Sequence, residues 1–277
     1  MKRRFLNISK TRIIFIDLEF YVPECNRLKH GFSYNPYDGE SILLGGSFYI
    51  TKAVKEELEK SDVALQAKIQ SIWLWNCTSE KELVGKFYQK LKSTLDFIQK
   101  ADMAISPVLC GIGVQNSDVP ILMALFERYN FLSKKDAFKF MNQFRVIDLS
   151  VLGIPFFNNS TYFLYPKQKN QLLNKFYKDC VFEDGRGVWD LYEQKQLALI
   201  EERTKDEILY TVKMYGKMKR GIDDLKLAEE CYKKHQKIKN QEKTIEAEKL
   251  LKSLTEMPSD FYSEERVDEP PQEREDI

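Results

Sequence analysis

The chain has 277 residues, 43% hydrophobic and 13% aromatic, enough for the core of one large domain with an appendage. Its formal net charge is +1 but uneven: residues 255–277 hold nine acids and two arginines, net −7, leaving residues 1–254 near +8, a balance compatible with a nucleic-acid partner. Five scattered cysteines with no CxxC argue against a zinc ribbon or a disulfide framework and for a reducing, cytoplasmic setting, and no apolar run approaches the ~18 residues of a membrane helix.

The basic start "MKRRFLNISK" is not expected to act as a signal peptide, because "SKTR" interrupts it before an apolar region forms. Arg12–Leu18 is β-branched, aromatic and short, the pattern of a strand. "SILLGGSFYI" (Ser41–Ile50) predicts a second, with Gly45-Gly46 as a bulge or close approach, and Ile69–Asn76 a third. The turn-rich stretch between the first two reads as a long loop, and His30 within it as a loop residue. Ser79-Glu80-Lys81-Glu82 fits a capping box ahead of Val84, Phe87, Leu91, Leu95 and Ile98, which predicts a helix over Glu80–Lys100. Asp102–Gly113 is expected as a fourth strand, Val119–Tyr129 as a helix with Pro120 in its first turn, and Phe144–Leu149 as a fifth strand. Residues 153–185 show no period. Helix resumes near Val188, with a second capping box at Thr204-Lys205-Asp206-Glu207 and a stop at Gly221.

The expected organisation is an α/β domain over residues 1–221, a charged exposed helix over 222–254 and an acidic, disordered tail over 255–277. Three strands in a row suggest an antiparallel meander. The later strand–helix–strand units suggest parallel additions, giving a mixed five-stranded sheet flanked by helices.

"RIIFIDLEFYVP" (Arg12–Pro23) places Asp17 and Glu19 on one side of a strand, with Ile13 and Phe15. Two carboxylates at i, i+2 can share a divalent cation, and hard oxygen ligands suit Mg²⁺ or Mn²⁺; a strand end reaching water is the alternative. Asp118 heads an apolar helix after a glycine-bearing loop, as a ligand or as an N-cap. Asp206 lies early in a predicted helix, where the dipole also favours an acid. The basic run Lys213–Arg220 is a solvated face or a phosphate-tracking patch. Of Trp73 and Trp75, at least one belongs to the core, and an exposed one could stack on a base.

Together, "IIFIDLEF", "VLCGIGVQNSDVPILMALFERY", "VIDLSVLG" and "ERTKDEILYTVKMY" resemble the motifs of the DEDD superfamily of 3′–5′ exonucleases, over about Arg12 to Tyr215. The resemblance implies an RNase H-like fold and metal ligands at Asp17, Glu19, Asp118 and Asp206 for two Mg²⁺ (or Mn²⁺) ions. It further implies hydrolysis at a single-stranded 3′ end of DNA or RNA; Phe20 and Tyr21 beside the D-x-E pair, and Lys213 and Lys217 of the basic run, are the expected nucleic-acid contacts. Gly113 and Ser117 replace the second motif's asparagine and phenylalanine, and Glu202 and Glu201 stand where the third motif has tyrosine or histidine. Glu202 would then serve as general base, or the chain is a degenerate module that binds nucleic acid or a protein. The charged helix and acidic tail are the expected protein contacts.

Overall fold

In the computed structural model, which describes residues 6–7, 9–28, 33–157, 169–178, 180–182 and 185–257, Arg12–Tyr21 forms the central strand β1. Ile42–Lys52 (β2) pairs antiparallel with it, and Gln70–Trp73 (β3) antiparallel with β2. On the other side Val108–Gly111 (β4) and Arg145–Asp148 (β5) run parallel, giving the order β3-β2-β1-β4-β5. The fold is α/β with a five-stranded mixed sheet flanked by helices.

Nine helices accompany these strands among the described residues. Lys55–Leu58 (α1) and Asp62–Gln66 (α2) follow β2, and Glu80–Ala101 (α3) follows β3. Asp118–Arg128 (α4) and Lys134–Met141 (α5) connect β4 to β5. Leu149–Leu152 (α6), Lys169–Phe176 (α7), Gly187–Glu193 (α8) and Leu197–Thr255 (α9) complete the set.

Strand alternation divides the core. Ile14, Ile16, Leu18 and Phe20 face a cluster with Val84, Phe87 and Leu91 of α3 and Leu122 and Leu125 of α4. Ile13 and Phe15 face a second, with Leu172 and Leu173 of α7 and Ile208, Val212 and Tyr215 of α9. Each large side chain so buried contributes about 1.5–3 kcal/mol.

Several boundaries differ from the sequence expectation. The third strand ends at Trp73, because Leu74–Asn76 tightens into a 3₁₀ turn. The fourth is only Val108–Gly111. The capping box at α3 is half formed: Ser79 Oγ accepts from Glu82 N–H, while the Glu82 carboxylate accepts from Thr78 N–H. Residues 153–185, expected to be irregular, contain α7. Thr204 caps nothing, since α9 began two turns earlier; its hydroxyl donates to Ile200 O. Gly221 does not stop α9, whose charged, helix-favouring sequence continues to Thr255.

The chain separates into two compact units, Met1–Arg220 and Gly221–Ile277. In the second, the described residues are helical to Thr255 and exposed from Asp223 onward. Most of the expected acidic tail, and His30, lie outside the described residues. Among the described residues no helix is long and apolar enough to cross a membrane.

Gly45 is the glycine on which β1 depends. It has φ +139°, and a Cβ there would sit 2.2 Å from Ile72 O. The β1–β2 register shifts beside it: Glu19 faces Gly45, but Phe20 faces Leu43. This bulge re-aims the strand end at Glu19. Gly113 also has positive φ (+74°), but a Cβ there would meet nothing within 4 Å. We expect Gly45→Ala to lower the unfolding free energy by at least about 2 kcal/mol, and Gly113→Ala by about 1 kcal/mol, in urea titrations. Equal effects would mean that close packing at Gly45 is not the limiting factor.

Candidate metal centre

Asp17 and Glu19 follow Ile13 and Phe15 on the same face of β1, so alternation carries them under α9 instead of into water. They are only 8% and 6% exposed. The acid that meets them from α9 is Glu207, 2% exposed. Carboxylate oxygens of Asp17, Glu19 and Glu207 all lie within 4.8 Å of one another.

Asp206, the ligand expected from the sequence, is not in this group. One residue is 100° of helix rotation. The buried stripe of α9 runs Ile200, Thr204, Glu207, Thr211 and Tyr215, and Asp206 falls beside it, accepting from Gln66 Nε2 at 3.1 Å. Glu202 is exposed, and Glu201 accepts from Trp75 Nε1 at 2.9 Å. Neither joins the acid cluster. The sequence does carry a signal for Glu207: an acid at a stripe position is the anomalous one.

Asp118 opens α4 at the rim, 5% exposed, and its Oδ1 accepts from Leu18 N–H at 2.9 Å. It is not an N-cap; Ser117 holds that place and donates from Oγ to Asp118 Oδ2. The preceding loop is fixed by Asp148, whose carboxylate accepts from Gly113, Gln115 and Ser150 N–H at 2.9–3.1 Å. Asp17, Glu19, Asp118 and Phe20 line one cavity of about 400 Å³.

Two cations complete the centre. Lys169, from α7, donates from Nζ to Asp17 Oδ1 at 2.9 Å and Glu207 Oε2 at 2.6 Å. Arg203 forks onto Glu207 Oε1 at 3.0 and 3.1 Å. Arg203 is recoverable from its i, i+4 spacing to Glu207. Lys169 carries no pattern.

Four carboxylates against two cations leave a fully ionised cluster at net −2. Burial pushes Asp17 up to about 7, with Lys169 opposing and Glu207 and Asp118 adding to the rise. Burial, then Asp17 and Glu207, push Glu19 up to about 8. Burial also raises Asp118. Burial would raise Glu207 as well, but Lys169 and Arg203 outweigh it and hold it below its usual range. Protons or a divalent cation can supply the missing charge. The donor set fits a hard cation: all ligand atoms are carboxylate oxygens, and Asp17 Oδ2 is buried with no hydrogen-bond partner among the described residues.

Comparison with family models, curated proteins and solved structures finds no match to this chain.

The expected nucleic-acid contacts are dispersed. Phe20 packs on Tyr34, ring centroids 4.3 Å apart, and lines the acid cavity. Tyr21 packs against Tyr192 and donates from its hydroxyl to Glu193 at 3.1 Å. Lys213 pairs with Asp62 at 2.9 Å, Lys217 donates to Phe176 O at 2.6 Å over the Tyr177 ring, and Arg220 pairs with Glu59. Lys213, Lys217 and Arg220 of the basic run are thus committed to internal partners. Trp73 is core, and the half-buried Trp75 stacks on it at 4.8 Å.

The raised acids set a sign for pH dependence. Asp17 and Glu19 hold protons in the folded chain up to about 7 and 8, against usual values of 3.8 and 4.5. The folded state therefore binds more protons across that window, and stability falls as pH rises through it. Glu207 acts oppositely, but only below its usual 4.5. We expect the melting temperature to fall between about pH 5 and about pH 8.5, and Mn²⁺ to restore it more at the higher pH. Asp17→Asn should flatten both effects. A pH-independent wild type insensitive to Mn²⁺ would contradict the charge deficit.

Proposed function

We propose that the chain is a divalent-metal-dependent 3′–5′ exonuclease built on an RNase H-like fold. The sheet order β3-β2-β1-β4-β5, with the first three strands antiparallel and the last two parallel, is compatible with that fold. The observation that carries the reading is the buried convergence of Asp17, Glu19 and Glu207 at the end of the central strand, short of positive charge. The 3′ polarity rests on the resemblance of the D-x-E strand and the Asp118 helix to DEDD exonucleases.

Asp17, Glu19 and Glu207 would hold the cation, with Asp118 at the rim of the same cavity. Bound Mg²⁺ or Mn²⁺ supplies charge to the phosphate and acidifies the attacking water. Phe20 and Tyr34 form an apolar wall against which a terminal base can pack. Lys169 has a 36% exposed side chain, so its ammonium can turn from the carboxylates to a phosphate oxygen entering the cavity. Arg203 stays forked on Glu207 and fixes its rotamer. Four and five residues before Glu207 stand Arg203 and Glu202, not tyrosine or histidine, so α9 offers no neutral water-orienting group there.

Lys169 also supports a second reading. Its ammonium bridges Asp17 and Glu207, as a permanent counter-ion would in an inert binding module. Strands labelled at the 3′ or the 5′ end, incubated with Mg²⁺ or Mn²⁺, separate the two. An exonuclease gives a ladder shortening from the 3′ end, and internal cuts would indicate an endonuclease instead. Asp17→Asn and Glu207→Gln should each lose at least about 100-fold in rate, more than loss of an outer-sphere partner costs, whereas Asp206→Asn should retain activity. If the wild type shortens neither DNA nor RNA, the enzymatic reading fails and the inert module stands.

A further inference from the structure

Beside the acid cavity lies a larger groove of about 970 Å³, between α4, α5 and the loop around residues 34–37. Tyr34 and Asn116 line both, so the two are adjacent. The groove is apolar at its base and cationic along one edge. Phe138 of α5 and Tyr37 of the loop expose 64% and 71% of their surface and line the same groove. Lys134, Lys135 and Lys139 stand along α5, all exposed.

The opposing acids cancel only part of this charge. Asp136 accepts from the Ser133 hydroxyl at 2.7 Å and pairs with Lys139 at 3.7 Å, and Glu127 is half-buried in α4. Among the described residues Lys134 and Lys135 form no ion pair. They differ in this from Lys213, paired with Asp62. The loop is held in place: Arg128 Nη1 donates to Pro36 O at 2.9 Å and Asp38 O at 3.4 Å, and Asn35 Oδ1 accepts from Tyr37 N–H at 3.0 Å. The Tyr37 ring is thus carried on a pinned loop and needs little ordering on binding.

We infer that this groove carries the upstream part of a single-stranded nucleic acid, bases stacking on Tyr37 and Phe138 and phosphates running along Lys134, Lys135 and Lys139, with the strand's end in the acid cavity. The inference rests on the nucleic-acid reading above and assigns its path. Stacking surfaces beside a row of lysines match a polymer that alternates flat rings with negative charges. An acidic peptide matches the lysines but gives the exposed rings less to stack on.

The test is fluorescence anisotropy of a 5′-labelled single strand of about 12 nucleotides, within the usual range of single-strand sites, on the full chain in EDTA. The triple variant Lys134→Gln/Lys135→Gln/Lys139→Gln should bind at least tenfold more weakly. Its dependence of log affinity on log salt should be shallower by about 2, the contribution of three phosphates. Phe138→Ala should lose about fivefold or more with the slope unchanged. Both sites are exposed, so unaltered melting temperatures verify the fold. Unchanged affinity in both variants, a wild type that binds no strand, or displacement of the strand by polyglutamate as readily as by unlabelled strand would each overturn the assignment. Failure here is separable from failure of the exonuclease reading. A wild type that shortens strands while the groove variants bind normally rejects only the groove. A wild type that cleaves nothing but loses binding with these variants keeps the groove and rejects the cleavage.

Discussion

Buried like charge governs the first unit of this chain. Side chains on β1 alternate between two cores, and the face that takes Ile13 and Phe15 must also take Asp17 and Glu19. No rotation of the strand relieves this, because its other face is core as well, and turning Asp17 and Glu19 over would set them against Val84, Phe87 and Leu122. Glu207 adds a third buried acid. Burying ionised groups is expensive unless they are paired. The packing around the cluster therefore follows a need for positive charge or protons.

The surrounding elements meet that need in layers. Lys169 and Arg203 supply two cations, from α7 and from the turn of α9 preceding Glu207. Backbone N–H of Leu18 stabilises Asp118, and Asp148 locks the loop that delivers it. The Gly45 bulge sits opposite Glu19, where the strand turns from sheet to site. Rigid elements thus hold each acid, which a preorganised cation site requires.

Much of this is legible in the sequence. Period-two alternation puts Asp17 and Glu19 on one face, the glycine pair of β2 announces close approach, and Ser79 marks the start of α3. The errors have local causes. The resemblance puts the third-motif acid at Asp206, whereas the inward acid is one position on, at Glu207, which is a different face of the helix, and Thr204, read as a cap, lies inside α9. Seven residues earlier, Leu197 gives the true start. Helix α7 spans only eight residues, too few to show a period, so Lys169 stays invisible until the tertiary structure brings it to Asp17. The lysines of residues 213–217 look free because sequence does not show Asp62 or the Phe176 carbonyl approaching them. The lysine row on α5 gives no signal at all, since nothing in its spacing distinguishes a docking edge from a solvated face.

The contacts joining β1 to the cluster span long stretches of chain: Leu18 to Asp118 is 100 residues, Asp17 to Lys169 is 152 and Glu19 to Thr204 is 185. During synthesis at about 5–20 residues per second, β1 leaves the ribosome roughly ten to forty seconds before α9 can cover it. "IIFIDLEF" would otherwise be a run of β-branched and aromatic residues prone to self-association. In the nascent chain Asp17 and Glu19 are solvated and ionised, and act as gatekeepers against aggregation. The same two carboxylates that burden the folded centre thus keep its central strand soluble until the rest of the chain arrives.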